Sequence, residues 1–372
     1  MNPGAREAWQ VAADAGWADP RRLYREGRRA SLLLDAAREG VAARIGARPD
    51  EVVFTGDSAL PLTIRRLLTS PGPAHGTPGH SASRLVCSAV EHSSVLEIAD
   101  DITLQGGHVD IIAVDQTGRV DPDSFIAALP KAPGTACLAV LQAANHEVGT
   151  RQPTGAVATA CQLRGVPLLV DATLTLGRAD PPADWSVLVG HASTWGGPPG
   201  VGVVAVRRAL HTAPLDLPSA SLPAVLSAAR GLEWADEQRV WDAPRARLFT
   251  DRIRESISAT VTDVAFLGDD QDRLDYLIAF SCLFVDGESL VLALDSAGYA
   301  VSSGSSCVSD LRRPSHVLAA MGALTQGNVR VSLPIGVTEA TVDGFIAALP
   351  PIVADIRAML GAHDLGPDGG GT

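Results

Sequence analysis

The chain has 372 residues, 46% of them hydrophobic and 19% charged. That is enough apolar material for one large domain and a smaller one, and it excludes disorder over most of the length. The net charge of −12, from 42 acidic and 30 basic residues, argues against a nucleic-acid binder, which needs a basic face for phosphates.

Short β-branched runs alternate with helical patterns. Strands are predicted at 51–55, 84–89, 109–114, 137–142, 167–172, 186–190 and 201–206. Several are apolar almost throughout, as expected of parallel strands covered on both faces. Residues 31–45 carry Leu33, Leu34, Ala37, Val41 and Ile45 near helical spacing. Asp121 and Pro122 read as the N-cap and first residue opening a helix over 123–129, and Gly165 closes a helix over 154–164. Repeated strand–helix–strand units imply an α/β sheet of about seven strands. The pattern changes beyond about residue 210. A Pro/Ser/Ala stretch leads into a long helix over 224–240. Then follow a strand at 276–285, a helix at 288–297, a short strand at 299–302, a helix at 315–321, a strand at 328–332 and a final helix at 339–360. This second part reads as a smaller α+β domain, and the glycine-rich tail reads as disordered.

Five cysteines (Cys87, Cys137, Cys161, Cys282, Cys307) are widely scattered with no CxxC pair. That suits reduced thiols in a cytoplasmic protein rather than a disulfide framework or zinc site. The first residues lack the apolar core of a signal peptide, and the longest apolar run, 276–285, is about half of what a membrane span needs. Of the basic residues, 29 are arginine and one, Lys131, is lysine. Cys307 stands out because its Ser/Gly-rich surroundings cannot form a regular helix and leave a thiol accessible. The other four lie in predicted strands and a helix, the usual place of an inert, buried cysteine.

Seven segments, in order, resemble the NifS-like cysteine desulfurases of the class-V aminotransferase group. They are Glu51-Val-Val-Phe-Thr55, Glu91-His92-Ser-Ser-Val95, Asn145-His146-Glu147-Val-Gly-Thr150, Val170-Asp171-Ala172, Gly196-Gly-Pro-Pro-Gly-Val-Gly202, Ser302-Ser-Gly-Ser-Ser-Cys307 and Pro314-Ser-His-Val-Leu318. The resemblance implies the pyridoxal phosphate (PLP)-dependent transferase fold type I, with a mostly parallel seven-stranded sheet. It implies a large domain over 10–235, a small α+β domain over 1–9 and 236–361 that carries the Cys307 loop, a disordered tail over 362–372, and a homodimer. Relatives of this kind use PLP to withdraw electrons from cysteine, and a mobile-loop cysteine takes the sulfur as a persulfide. By resemblance, Asp171 holds the pyridinium nitrogen, His92 stacks on the ring and relays protons, Cys307 carries the persulfide, and Arg330 grips the substrate carboxylate. His146, Ser193 and Thr194 fall at cofactor-binding positions.

The departures from the family are systematic. Thr194, in His191-Ala-Ser-Thr194, stands where the family has its Schiff-base lysine, and a hydroxyl cannot form a Schiff base. Lys131 precedes the strand at 137–142 and is expected at the opposite edge of the sheet. The phosphate-cup threonine aligns with Ala59, and Asp57 puts a negative charge near a helix N-terminus where a phosphate would bind. Leu174 replaces a glutamine that contacts the ring, and His146 replaces the second asparagine of Asn-Asn-Glu. A phosphate-reaching segment is deleted between Arg208 and Ala224, and the family's N-terminal Tyr-Leu-Asp segment lies outside this chain.

Three functional readings follow, in this order. The first is a desulfurase-like protein of sulfur metabolism with a degenerate PLP site, acting as a persulfide carrier or partner subunit through Cys307, with a desulfurase or a sulfur acceptor as partner. The second is a PLP-independent enzyme with Cys307 as nucleophile and His92 or His146 as base. The third is an active desulfurase or lyase that binds PLP noncovalently. None of them involves a metal, nucleic acid or membrane.

Overall fold

The computed structural model describes residues 1–15, 18–69, 84–131, 137–210, 215–303 and 314–359. The chain divides into two compact units. Unit one comprises Met1–Ala113, Val120–Asn145 and Gln152–Val240, and unit two comprises Val114–Arg119, His146–Arg151 and Trp241–Thr372.

Unit one is built on a seven-stranded sheet. Its strands are β1 (Val52–Thr55), β2 (Arg84–Ser88), β3 (His108–Ile112), β4 (Cys137–Gln142), β5 (Leu168–Asp171), β6 (Val187–His191) and β7 (Gly202–Val206), in the spatial order β1-β7-β6-β5-β4-β2-β3. All pairings from β6 to β3 are parallel. β7 runs antiparallel to both β6 and β1. The α/β class and the strand count expected from the sequence are those found. The central β4 is buried at all six positions, whereas the edge strand β3 is buried at none. That difference follows from cover by helices on both faces of a parallel sheet's middle.

The helices are α1 (Pro3–Ala15), α2 (Arg25–Ile45), α3 (Ala59–Thr69), α4 (Ser93–Leu104), α5 (Pro122–Ala128), α6 (Thr154–Arg164) and α7 (Leu222–Thr260). Asp121 caps α5, accepting from the amides of Asp123 and Ser124, with Pro122 as the first residue. Gly165 ends α6 at φ 65°, a left-handed conformation that costs glycine little. α3 and α4 cover one face of the sheet. Ile64, Leu67, Ile98 and Ile102 meet Leu85, Leu138, Val140, Leu169, Val187 and Val204 there, all of them buried. Each such side chain stabilises the fold by roughly 1.5–3 kcal/mol.

Unit two holds a three-stranded antiparallel sheet in the order β10-β9-β8: β8 (Val264–Leu267), β9 (Leu277–Cys282) and β10 (Asn328–Ser332). With it go α8 (Gly287–Ser296), α9 (His316–Ala320) and α10 (Glu339–Met359).

Several expectations need correction. Residues 1–9, expected in the small domain, belong to unit one, where Asn2 donates to the carbonyls of Trp195 and Gly231. The helix expected over 224–240 continues to Thr260 through Pro244. Buried Ala246, Phe249, Ile253 and Ile257 continue the helical spacing beyond the proline, so burial outweighs the local break. Residues 299–302 form no strand, only a single bridge between Ser302 and Arg330. The strand expected over 276–285 ends at Cys282, and Phe284 turns at φ 59°. β8 has four residues, of which only Leu267 is buried, too short a run to show a period in the sequence. The tail expected to be disordered, 362–372, lies outside the described residues. Among the described residues, no helix is long and apolar enough to cross a membrane.

Ile64 is fully buried in the α3–sheet core, whereas Leu104 at the end of α4 is 85% exposed. Ile64→Ala is expected to cost about 2–5 kcal/mol in urea unfolding, and Leu104→Ala less than about 0.5 kcal/mol.

Candidate functional site

The parallel strands of unit one all end at one edge of the sheet, and the loops leaving them carry its polar side chains. Open α/β sheets place ligands at this edge.

The segment after β2 is held by Glu91, which is fully buried. Its Oε1 accepts from Ser88 Oγ (2.8 Å) and from the Gln142 amide at the end of β4 (3.1 Å). The Val90 carbonyl accepts from Gln142 Nε2 (2.5 Å) and Asn145 Nδ2 (3.0 Å). These bonds fix the start of α4, which His92 caps. Its Nδ1 accepts from the Ser94 amide (3.3 Å) and lies 2.9 Å from Ser94 Oγ. Burial pushes the Glu91 carboxyl up to about 8, and the negative Asp171 adds to the rise against the bonds from Ser88 and Gln142.

Asp171 ends β5, half-buried, in register with Gln142. Its Oδ1 accepts from the Thr173 amide (3.0 Å) and hydroxyl (2.5 Å). Next along the sheet, β6 ends in His191 and runs into a single 3-10 turn, Ala192–Trp195. Trp195 anchors that turn, buried to 1% exposure with Nε1 donating to the Ala228 carbonyl (3.0 Å). Thr194 Oγ1 lies 2.6 Å from the Thr173 carbonyl and 2.7 Å from the His191 carbonyl, so its one proton is committed to the backbone. Ser193 is exposed, with Oγ 2.8 Å from His191 Nδ1.

Asp57 follows β1. Its Oδ1 accepts from His191 Nε2 (2.6 Å) and from the Gly200 amide (2.9 Å). A close strand contact allows this. A Cβ on Gly202 would come within 2.4 Å of the Ala59 Cβ and 2.8 Å of the Gly56 carbonyl oxygen, so only glycine lets β7 lie this near the turn into α3. Lys131 is exposed and sits by the opposite edge, where Arg84 at the start of β2 donates to the Ala128 carbonyl (2.9 Å).

Unit two has its own cluster. Arg330 on β10 donates through Nη1 to the His146 carbonyl (2.6 Å) and through Nη2 to Ser302 Oγ (3.3 Å). Glu147 is 4% exposed, and its Oε2 accepts from Ser315 Oγ (2.6 Å), the residue that caps α9. His146 Nε2 stands 3.8 Å from Glu147 Oε1, and its ring centroid lies 6.3 Å from that of His316. Burial pushes Glu147 up to about 7, while Ser315 and Arg330 pull it down.

Within unit one, then, lie His92, Asp171, Ser193 and Thr194. Within unit two, His146 and Arg330 are joined directly. Cys307 lies outside the described residues. The other four cysteines are buried and free. The placements of Glu91, Glu147 and His191 are not evident from the sequence alone. The signal for the two glutamates was a carboxylate beside a histidine in a loop following an apolar strand.

Glu91 and Glu147 have raised carboxyls, so the folded chain keeps protons that the unfolded chain releases above about pH 4.5. Their contribution is present in full below that pH and is lost as pH rises toward about 7 for Glu147 and about 8 for Glu91. Melting temperature should therefore fall between pH 5 and pH 8, and Glu91→Gln should flatten that slope. An unchanged slope would refute a neutral Glu91.

The sequence matches the Aminotransferase class-V family over residues 15–217 and 219–345. It is 32% identical over 378 residues to a cysteine desulfurase of Cereibacter sphaeroides, covering 96% of this chain and 94% of that protein. It is also 32% identical over 382 residues to an IscS-like cysteine desulfurase of Mycobacterium tuberculosis, with 96% and 94% covered. Among solved structures, the fold is similar to a NifS-like protein with a TM-score of 0.82, at 23% identity over 97% of this chain and 96% of that one. It is similar to a NifS-like protein from Rickettsia africae with a TM-score of 0.77, at 18% identity over 95% and 96%. The architecture is that of PLP-dependent fold type I. Matched along most of its length, the chain belongs to the class-V aminotransferase family and is cysteine desulfurase-like within it.

Proposed function

We propose that this chain is a desulfurase-like protein of sulfur metabolism that works without PLP and receives a persulfide sulfur on Cys307 from a working desulfurase. The observation that carries this reading is Thr194. An imine to a cofactor aldehyde needs a primary amine. Thr194 offers a hydroxyl already committed to two backbone carbonyls, and the single lysine, Lys131, is exposed by the opposite edge of the sheet. Near the N-terminus of α3, a cofactor phosphate would meet the Asp57 carboxylate. These residues do not fit a covalently held PLP, although Asp171 and His92 remain where the family would use them.

Sulfur relay needs no cofactor on the receiving side. The Cys307 thiolate attacks the outer sulfur of the donor's persulfide, the donor's S–S bond breaks, and the donor cysteine leaves as a thiolate. The exchange is redox-neutral. The other thiols are poor competitors. Cys87, Cys137, Cys161 and Cys282 are each at most 2% exposed. Burial raises all four, to about 12 for Cys137 and Cys161 and about 11 for Cys282, so almost none is thiolate near neutral pH. The reading includes a homodimer, supported by Trp9, Val11 and Leu32, which stand exposed on α1 and α2.

The test mixes the chain with cysteine and a working, PLP-loaded cysteine desulfurase, and weighs the intact chain by mass spectrometry. One added sulfur is expected on the wild type, and none on Cys307→Ala or when the donor enzyme is left out. A chain that turns yellow with PLP and converts cysteine to alanine on its own would overturn the proposal.

A further inference from the structure

We infer that Asp57 is an internal anion that takes the place of a ligand phosphate in unit one, so that this site selects against phosphorylated ligands. The inference rests on the PLP-independent reading above and says which end of a ligand the site rejects.

Asp57 stands just before α3, a helix of 11 residues. The partial positive charge at a helix start attracts anions, and a bound phosphate is the common occupant of such a place after a strand. A carboxylate there could simply cap its own helix, but Asp57 Oδ1 reaches across the sheet instead. It takes the Gly200 amide at 2.9 Å and His191 Nε2 at 2.6 Å. His191 is held in turn by Ser193, 2.8 Å from Nδ1. Nε2 donates to the carboxylate, and the Ser193 hydroxyl holds the ring from its other nitrogen. An amide, an imidazole N–H and a helix start thus converge on one anion, and that anion belongs to the chain.

The arrangement is built in rather than incidental. β1 and β6 are not neighbours. β7 lies between them, antiparallel to both. Only the close approach allowed by Gly202, paired with Thr55, brings the turn after β1 beside the loop that holds Gly200. A phosphate entering here would compete with Asp57 for the same donors and would sit a few ångströms from a like charge. Even in water-like surroundings that repulsion amounts to about a fivefold loss of affinity, and more where water is partly excluded.

The experiment uses the full chain, with pyridoxamine 5′-phosphate and pyridoxamine as probes, titrated calorimetrically. Neither carries an aldehyde, so neither forms an imine with Lys131 or the N-terminus. The wild type is expected to bind the two with affinities within about twofold of each other. Asp57→Ser should bind the phosphorylated compound at least about fivefold more tightly than the wild type does, with pyridoxamine unchanged. His191→Ala added to Asp57→Ser should abolish that gain, which a merely structural role for Asp57 would not predict. If Asp57→Ser melts early by circular dichroism, Asp57→Asn, which keeps the shape and removes the charge, should show the same direction of change. A wild type that already prefers the phosphorylated compound fivefold or more would overturn the inference. So would a folded Asp57 variant that shows no phosphate-specific gain, including one that binds neither compound. Sulfur loading of Cys307 is read separately. Loading without a phosphate gain sinks only the Asp57 inference, and a phosphate gain without loading sinks only the relay.

Discussion

A carboxyl group sealed from water has to find its partners inside the protein or give up its charge. Glu91 does some of both, and the carboxyl edge of unit one is organised around it. Its oxygen ties the end of β2 to the amide that ends the neighbouring strand β4, at Gln142. Gln142 and Asn145 return the tie by donating to Val90. The start of α4 and the His92 cap follow from that clamp, and Asp171 stands in register opposite Gln142. Because Glu91 holds its proton near neutral pH, the buried edge is spared an uncompensated negative charge there.

Two other strand ends of unit one are also committed internally. At the end of β6 the Thr194 hydroxyl is spent on the backbone. At the end of β1 a carboxylate claims donors that could serve an external anion. Under the proposed function, the first withholds a covalent handle and the second an electrostatic one. Unit two keeps a different chemistry. There Arg330, His146 and Glu147 share one cluster, with a carboxyl that titrates near neutrality.

Much of the sheet was legible in the sequence because strands buried on both faces announce themselves as apolar runs, as in 137–142 and 186–190. Helix punctuation was legible where a residue type has a local mechanism, as with Asp121, Pro122 and Gly165. Pro244 misled for the same reason. Its local signal is a break, but buried Phe249 and Ile253 hold α7 together beyond it. Short β8 had too few residues to show a period. At the site, Asp171 and His92 could be singled out by type and place, whereas Glu91 looked like an ordinary neighbour of His92. Its importance lies in burial, which a single sequence does not display.

The sequence by itself determined the order of strands and motifs, and it determined that position 194 cannot form an imine, because covalent capacity belongs to a residue's identity. It also limited the chain to a single lysine and five thiols. Only the tertiary structure decided the pairing of Asp57 with His191, 134 residues apart, since that contact exists only when β7 inserts between β1 and β6. It likewise decided the protonation of Glu91 and Glu147. Removing a carboxyl from water raises its proton affinity, and whether water reaches it depends on every element folded around it.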